Sequence, residues 1–117
     1  MTERPVPLLR GTLDVMILKA VSGGSMHGYG VSRWIAETTD DTFEVQEGAL
    51  YPALRRLEQK GLLESEWGVT ETGREARYYT LTEAGRAGLR SEVRMWTRYV
   101  EAMSRVLRAM APAGGGV

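Results

Sequence analysis

The sequence predicts a mainly α fold with a small β wing and a long C-terminal helix. Three observations carry that reading. Apolar residues recur at helical spacing in separate segments, two short strand-like runs flank a glycine- and threonine-rich turn, and an unbroken apolar seam closes the chain. At 117 residues, the chain is one domain by size, with a core modest enough that a partner would help it.

The elements follow in order. Thr2 to Pro7, with Pro5 and Pro7 two apart, cannot start a regular helix and is expected to be a strap or frayed arm. Leu9, Leu13, Met16, Ile17 and Ala20 have helical period, so a first helix runs to about Val21 and stops at Ser22-Gly23-Gly24. Ser25 is the expected N-cap of a second helix that turns Val31, Trp34, Ile35 and Thr38 inward and ends in Thr39-Asp40-Asp41-Thr42. Pro52 deletes a backbone donor, which is tolerable only near a helix start, so the third helix is expected to begin close to Gln46. Lys60-Gly61 stops it.

Leu62 to Trp67 and Arg77 to Leu81 read as two strands, joined by a flexible turn region from Gly68 to Gly73. Thr82 caps the final helix, with Glu83 well placed in its first turn. Along it Leu89, Val93, Trp96, Val100, Met103, Leu107 and Met110 alternate steps of four and three. Three heptads of that kind call for a helix packed along their length, and the expected partner is a second copy. Ala111-Pro112 ends the helix. The expected organisation is residues 1–81 as one domain, 82–111 as the dimer interface helix and 112–117 as a disordered tail.

Composition excludes several classes. There is no cysteine and one histidine, so no disulfide scaffold or thiolate metal site is available, and no catalytic set can be assembled. The chain is not expected to be an enzyme, and no cofactor or metal is expected. No secretory leader or long apolar span is seen, so no membrane is expected and the expected compartment is the bacterial cytoplasm.

Fifteen basic and fifteen acidic residues cancel. The part through Leu81 is the more acidic, with nine basic residues against twelve acidic ones. Nucleic-acid binding therefore has to rest on locality: Arg55, Arg56, Lys60, Arg74 and Arg77 are expected to cluster, with the acids mostly elsewhere.

The stretch Gln46 to Leu63 stripes one helix with two surfaces. Leu50, Leu54 and Leu57 form the inner one. Gly48, Tyr51, Pro52, Arg55 and Gln59 form an outer one that combines close backbone approach with an aromatic hydroxyl and a guanidinium, as suits a nucleic-acid recognition helix.

The same block, G-x-L-Y-P-x-L-x-R-L-E-x-x-G-L-L, resembles the signature of the PadR family of bacterial transcriptional regulators. Leu13 to Val21, His27-Gly28-Tyr29-Gly30 and the run from Arg77 to Arg86 resemble further family segments, so the likeness covers Leu8 to Met110. It implies a small, single-domain winged helix-turn-helix repressor, dimeric through its last helix and similar to multidrug-sensing members.

The expected contacts with double-stranded operator DNA are Gln46, Glu47, Gly48, Tyr51, Pro52 and Arg55 on the recognition helix, His27 and Tyr29 at the second helix start, and Arg74 and Arg77 on the wing. Several have a plainer reading. Tyr51 could cover the core edge, Glu47 could cap its own helix, His27 could be a capping contact at its helix start, Glu71 and Glu75 could pair with the wing arginines, and Tyr29 could pack under the wing. In PadR-like multidrug sensors an aromatic on the last helix forms a plate for planar ligands. By that likeness Trp96, with Val15, Leu18, Leu89, Glu92, Val93 and Val100, is the candidate site for a planar aromatic effector, and Asp14 or Glu92 would balance a cationic one. The plainer reading of Trp96 is dimer packing. The row Arg86, Arg90, Arg94 and Arg98 reads as a solvated face, or as reaching Asp40 or Asp41 of a partner. The rival to a ligand-responsive, DNA-binding homodimer is a winged-helix adaptor that binds protein.

Overall fold

The computed structural model describes residues 4–9 and 11–114. Among the described residues, four α-helices and a three-stranded antiparallel sheet follow one another as α1 (Thr12–Ala20), a 3-10 turn (Val21–Gly23), β1 (Met26–His27), α2 (Gly28–Thr38), α3 (Glu47–Gln59), β2 (Leu63–Val69), β3 (Glu75–Leu81) and α4 (Glu83–Arg108). The sheet order is β1-β3-β2. Fold class and helical order match the sequence reading.

The core lies where α1, α2 and α3 meet the root of the hairpin. Ile17, Val21, Val31, Ile35, Leu50, Leu54, Leu57 and Leu63 are all fully buried there. Burying each aliphatic side chain contributes about 1.5–3 kcal/mol before entropy is charged against it. The inner stripe of α3 is thus the predicted one, with Ala53 added. On α2, Val31 and Ile35 go inward and Trp34 packs at the core edge, but Thr38 is exposed. Thr39 takes the structural part instead: its hydroxyl donates to Ile35 O (2.8 Å) and accepts from Phe43 N–H (3.1 Å), closing the helix.

Local signals placed the helix ends unevenly. Gln46 is the N-cap of α3, as Pro52 required, although its side chain makes no capping bond. Thr82 caps α4, accepting from Gly85 N–H at 2.9 Å. Ser25, by contrast, caps nothing. Residues 26–27 pair with Tyr79 and Tyr78 as a short edge strand, and His27 becomes the cap of α2, its Nδ1 accepting from Gly30 N–H at 3.0 Å. The first helix begins at Thr12, leaving Leu9 exposed.

The hairpin is longer than predicted. Gly68 pairs with Ala76 inside it, and the turn shrinks to residues 70–74. There Thr70 N–H donates to Arg74 O (2.8 Å) and Gly73 takes φ 84°, a left-handed position that suits glycine. Of the expected strap, residues 2 and 3 lie outside the described residues; Val6 N–H donates to Thr42 O at 2.8 Å, tying residue 6 to the α2–α3 loop. Helix α4 ends at Arg108, before Ala111-Pro112, and of the expected tail residues 115–117 lie outside the described residues.

The 26-residue α4 would run about 39 Å. Its first turns dock on α1 and the hairpin root, and the remainder projects, giving the chain extents of 63 × 37 × 22 Å.

Candidate nucleic-acid interface

A groove of about 1390 Å³ runs between the start of α2, the outer side of α3 and the inner side of the wing. It gathers residues that are far apart in sequence: His27, Tyr29, Tyr51, Arg55, Arg74 and Arg77 all line it. Gln46, Glu47, Gly48 and Pro52 stay outside its lining on the exposed outer face of α3. A Cβ built at Gly48 meets nothing within 4 Å, so the space in front of it is open to an incoming surface.

Each groove residue has a local cause. Tyr51 lies across the start of α2, where a Cβ added to Gly28 would come within 2.9 Å of its ring. That glycine lets the phenol pack flat, so both readings of Tyr51 hold in part: the ring covers an edge while 39% of the residue stays exposed. His27, through its capping bond, must keep Nδ1 unprotonated as the acceptor, which leaves Nε2 to carry the proton. Its ring meets Tyr78 edge-on at 5.3 Å and stacks beside Tyr29 at 6.3 Å. Tyr29 is exposed, with Arg33 over its ring at 5.8 Å, so it does not pack under the wing. Arg33 in turn pairs with Glu37 at 2.7 Å, and that bond raises the guanidinium pKa further.

The expected clustering of cations needs three corrections. Lys60, the C-cap of α3, stays outside the groove lining. Arg56 points to the other side of α3, where it pairs with Asp14 of α1. One residue is a 100° step around a helix, and that step takes Arg56 out of the stripe holding Arg55. The acids are not elsewhere either: Arg33, Arg55, Arg74 and Arg77 share the groove with Glu37, Glu58, Glu71 and Glu75. Glu37 and Glu58 lie one helical turn from Arg33 and Arg55, and Glu71 and Glu75 lie at the wing tip.

The pairing of the wing arginines with Glu71 and Glu75 does not form. Among the described residues the salt bridges are Arg33–Glu37, Arg56–Asp14 and Arg105–Glu101, so Arg55 and Arg74 are not engaged by a carboxylate. Arg77 instead donates from Nε to Ser65 Oγ (3.0 Å) and lies over the Trp67 ring at 5.2 Å. Trp67, 65% exposed and lining the groove, is a site residue that sequence reading placed only in a strand. Its alternation with Leu63 and Ser65 was the available signal.

Known families place the chain that carries this surface. Residues 17–91 match the transcriptional regulator PadR-like family. The chain belongs to the PadR family. A transcriptional regulator of Mycobacterium tuberculosis is 38% identical over 85 residues, which is 73% of this chain and 76% of that protein. An uncharacterised protein of Lysinibacillus sphaericus is 33% identical over 94 residues, covering 80% and 86%. Among solved structures, a transcriptional regulator from Clostridium thermocellum superposes with a TM-score of 0.74 at 30% identity, covering 82% of this chain and 93% of its own. A PadR-like regulator from Bacillus cereus does so at 0.75 and 25%, covering 87% and 97%.

As a PadR regulator the chain is a DNA-binding transcription factor of winged helix-turn-helix fold, and it is not an enzyme. No helix among the described residues is long and apolar enough to cross a membrane.

The second candidate site sits on α4. Val93, Val100, Met103 and Leu107 are exposed, as are Met95, Tyr99 and Val106, so the seam is bare in the single chain, while Met110, also exposed, lies beyond the end of α4 at Arg108 and is not part of its helical stripe. Two seam residues are exceptions: Trp96 is partly covered, and Leu89, at 7% exposed, belongs to the chain's own core, as does Leu18 at 3%. Neither leucine presents an accessible wall to a ligand, and Leu89 has little surface to give to a partner. Both sit where α1 and α4 already cross, which spacing along one helix cannot reveal. Val15 packs at the core edge, Glu92 is half-buried, and Asp14 is committed to Arg56. Trp96 meets Tyr99 edge-on at 5.6 Å, and its Nε1 is buried without a hydrogen-bond partner.

Proposed function

We propose that this PadR regulator is a homodimeric cytoplasmic repressor that docks two α3 helices in successive major grooves of a near-palindromic operator. The chain through Leu81 is the DNA-binding unit and α4 is the dimerisation element. One observation carries the reading. Tyr51 and Arg55 of α3, the start of α2 and the wing arginines face one groove, while Leu50, Ala53, Leu54 and Leu57 on the inner side of α3 are buried in the core. In this arrangement α3 reads base edges, and His27, Tyr29, Arg74 and Arg77 contact the sugar-phosphate backbone. The four glutamates beside the four arginines make the salt dependence shallower than for an all-basic surface.

The bare apolar stripe of α4 supports the dimer, because so many exposed large apolar side chains on one helix are otherwise costly to solubility. Selection of operators from a random duplex pool, with sedimentation of the same sample, tests both points. Enriched sequences with two half-sites about one helical turn apart are expected. Binding to no DNA sequence would favour the protein-binding adaptor.

Release by a planar aromatic effector at Trp96 is part of the same proposal, supported by the partly covered indole between Val93 and Val100. Binding there would change the separation of the two α3 helices, leaving one half-site poorly docked. Trp96→Leu keeps the stripe apolar. It is expected to remain dimeric and bind operator while losing about 1–2 kcal/mol of affinity for an acridine dye. Equal dye binding by parent and variant would reduce Trp96 to packing.

A further inference from the structure

We infer that Trp67 is a positioning residue for DNA binding: with Ser65 and Glu58 it holds the Arg77 guanidinium in one orientation before DNA arrives. The inference rests on the assignment of Arg77 to a phosphate under the proposed function.

Four side chains from three elements form a line. Ser65 Oγ lies 2.7 Å from Glu58 Oε2, and Arg77 Nε lies 3.0 Å from the same Ser65 oxygen. A guanidinium can only donate, so Ser65 accepts from Arg77 and sends its single hydroxyl proton to Glu58. The direction of both bonds is therefore fixed. Trp67 is the direct cross-strand partner of Arg77, and its indole lies under the guanidinium, with Arg77 Cζ 5.2 Å from the ring centre. One nitrogen is held from the side and the plane is held from below. The two terminal nitrogens make no hydrogen bond to the described residues, and they form an edge that a phosphate can take in a two-point contact.

The arrangement answers a specific difficulty. A free arginine loses much rotamer freedom when it grips a phosphate, and this groove carries as many carboxylates as guanidinium groups. Holding Arg77 on Ser65 and Trp67 reduces the ordering cost and keeps its cation away from Glu71 and Glu75 at the tip. Because Glu58 belongs to α3, the line also ties the wing to the recognition helix, so the two dock on DNA as one body. Trp67 has no core role that would compete, being 65% exposed.

A double-mutant cycle tests this. The probe is a fluorescein-labelled duplex selected by the unmutated protein from a random pool, titrated across a salt series. Arg77→Ala is expected to weaken binding and lower the salt slope by about one. Trp67→Ala is expected to weaken binding about three- to five-fold while Arg77 is present, and to have no further effect once Arg77 is alanine. Trp67→Tyr, which keeps a ring under the cation, should recover most of the loss. Melting temperatures of the Trp67 variants should match the parent, since an exposed side chain is removed. Equal losses in both Arg77 backgrounds would mean that Trp67 touches DNA itself, and no loss in either would mean it does nothing; both overturn the positioning role alone. Should Arg77→Ala leave affinity and slope unmoved, the phosphate assignment falls, and the positioning role falls with it.

Discussion

Replacing Gly85 with alanine puts a methyl group where the backbone of the wing root already stands. A Cβ built there lies 2.1 Å from the carbonyl oxygen of Leu62 and 2.7 Å from Leu81 Cδ1. An ordinary carbon–oxygen contact is about 3.3 Å, so the two segments must part by roughly 1 Å. They are close for a reason. Leu62 O accepts from Thr82 N–H (3.2 Å) and Gly61 O from the Thr82 hydroxyl (2.7 Å), so the strand root is fastened to the start of α4.

Forcing them apart costs about 1–3 kcal/mol of overpacking and weakens two hydrogen bonds, each contributing about 0.5–1.5 kcal/mol. Alanine returns about 1 kcal/mol in helix propensity. The net expectation for Gly85→Ala is a loss of about 2–3 kcal/mol, or a melting temperature lower by roughly 10 °C. Gly88, one turn later, is the control. Its added Cβ meets only Leu62 Cδ2, at 3.9 Å, so Gly88→Ala keeps the propensity gain and should raise the melting temperature by a few degrees. Thermal unfolding followed by circular dichroism at matched protein concentration reads both, since dimerisation makes melting depend on concentration. Two variants moving in the same direction, or Gly85→Ala melting with the parent, would refute the steric argument.

Further outcomes follow from the site and the seam. Arg55→Ala should weaken operator binding by about 1–3 kcal/mol with folding unchanged, and Tyr51→Ala should do the same; gel-shift titrations returning parental affinity for both would remove α3 from the interface. Leu107→Asp should give a folded monomer in sedimentation, because Leu107 is 76% exposed in the single chain and a carboxylate there is penalised only when a partner covers it; an intact dimer would place the interface elsewhere. Burial, with a smaller contribution from Glu58, holds the Tyr79 phenol above its ordinary value near 10. The folded state then keeps a proton that the unfolded state releases, so the stability it contributes is full below pH 10 and falls as pH rises through the folded value. Urea midpoints from neutral to alkaline pH should show a fall that Tyr79→Phe flattens, and parallel curves would exclude Tyr79 as the source.

Spacing along the chain by itself determined a good deal. The inner stripe of α3, the start of that helix near Gln46, the Thr82 cap and the exposed positions Val93, Val100, Met103 and Leu107 along α4 were all legible, because each depends on residues within a turn or two of one another. The outer stripe pointed to DNA for the same reason, and its order with the other segments disclosed the family. The rest came from how the elements pack. That packing gave Arg56 to Asp14, placed Leu18 and Leu89 in the core and chose His27 over Ser25 as the cap of α2. It also stood Arg77 on Trp67 and left four glutamates in the groove. The edge strand Met26–His27 has two residues, too few to show a period, and exists because β3 offers it an open edge. A helical or strand repeat fixes which side of an element a residue is on. It cannot say what stands opposite, and the pairings that aim Arg77 and clamp Gly85 are made by residues that stand opposite.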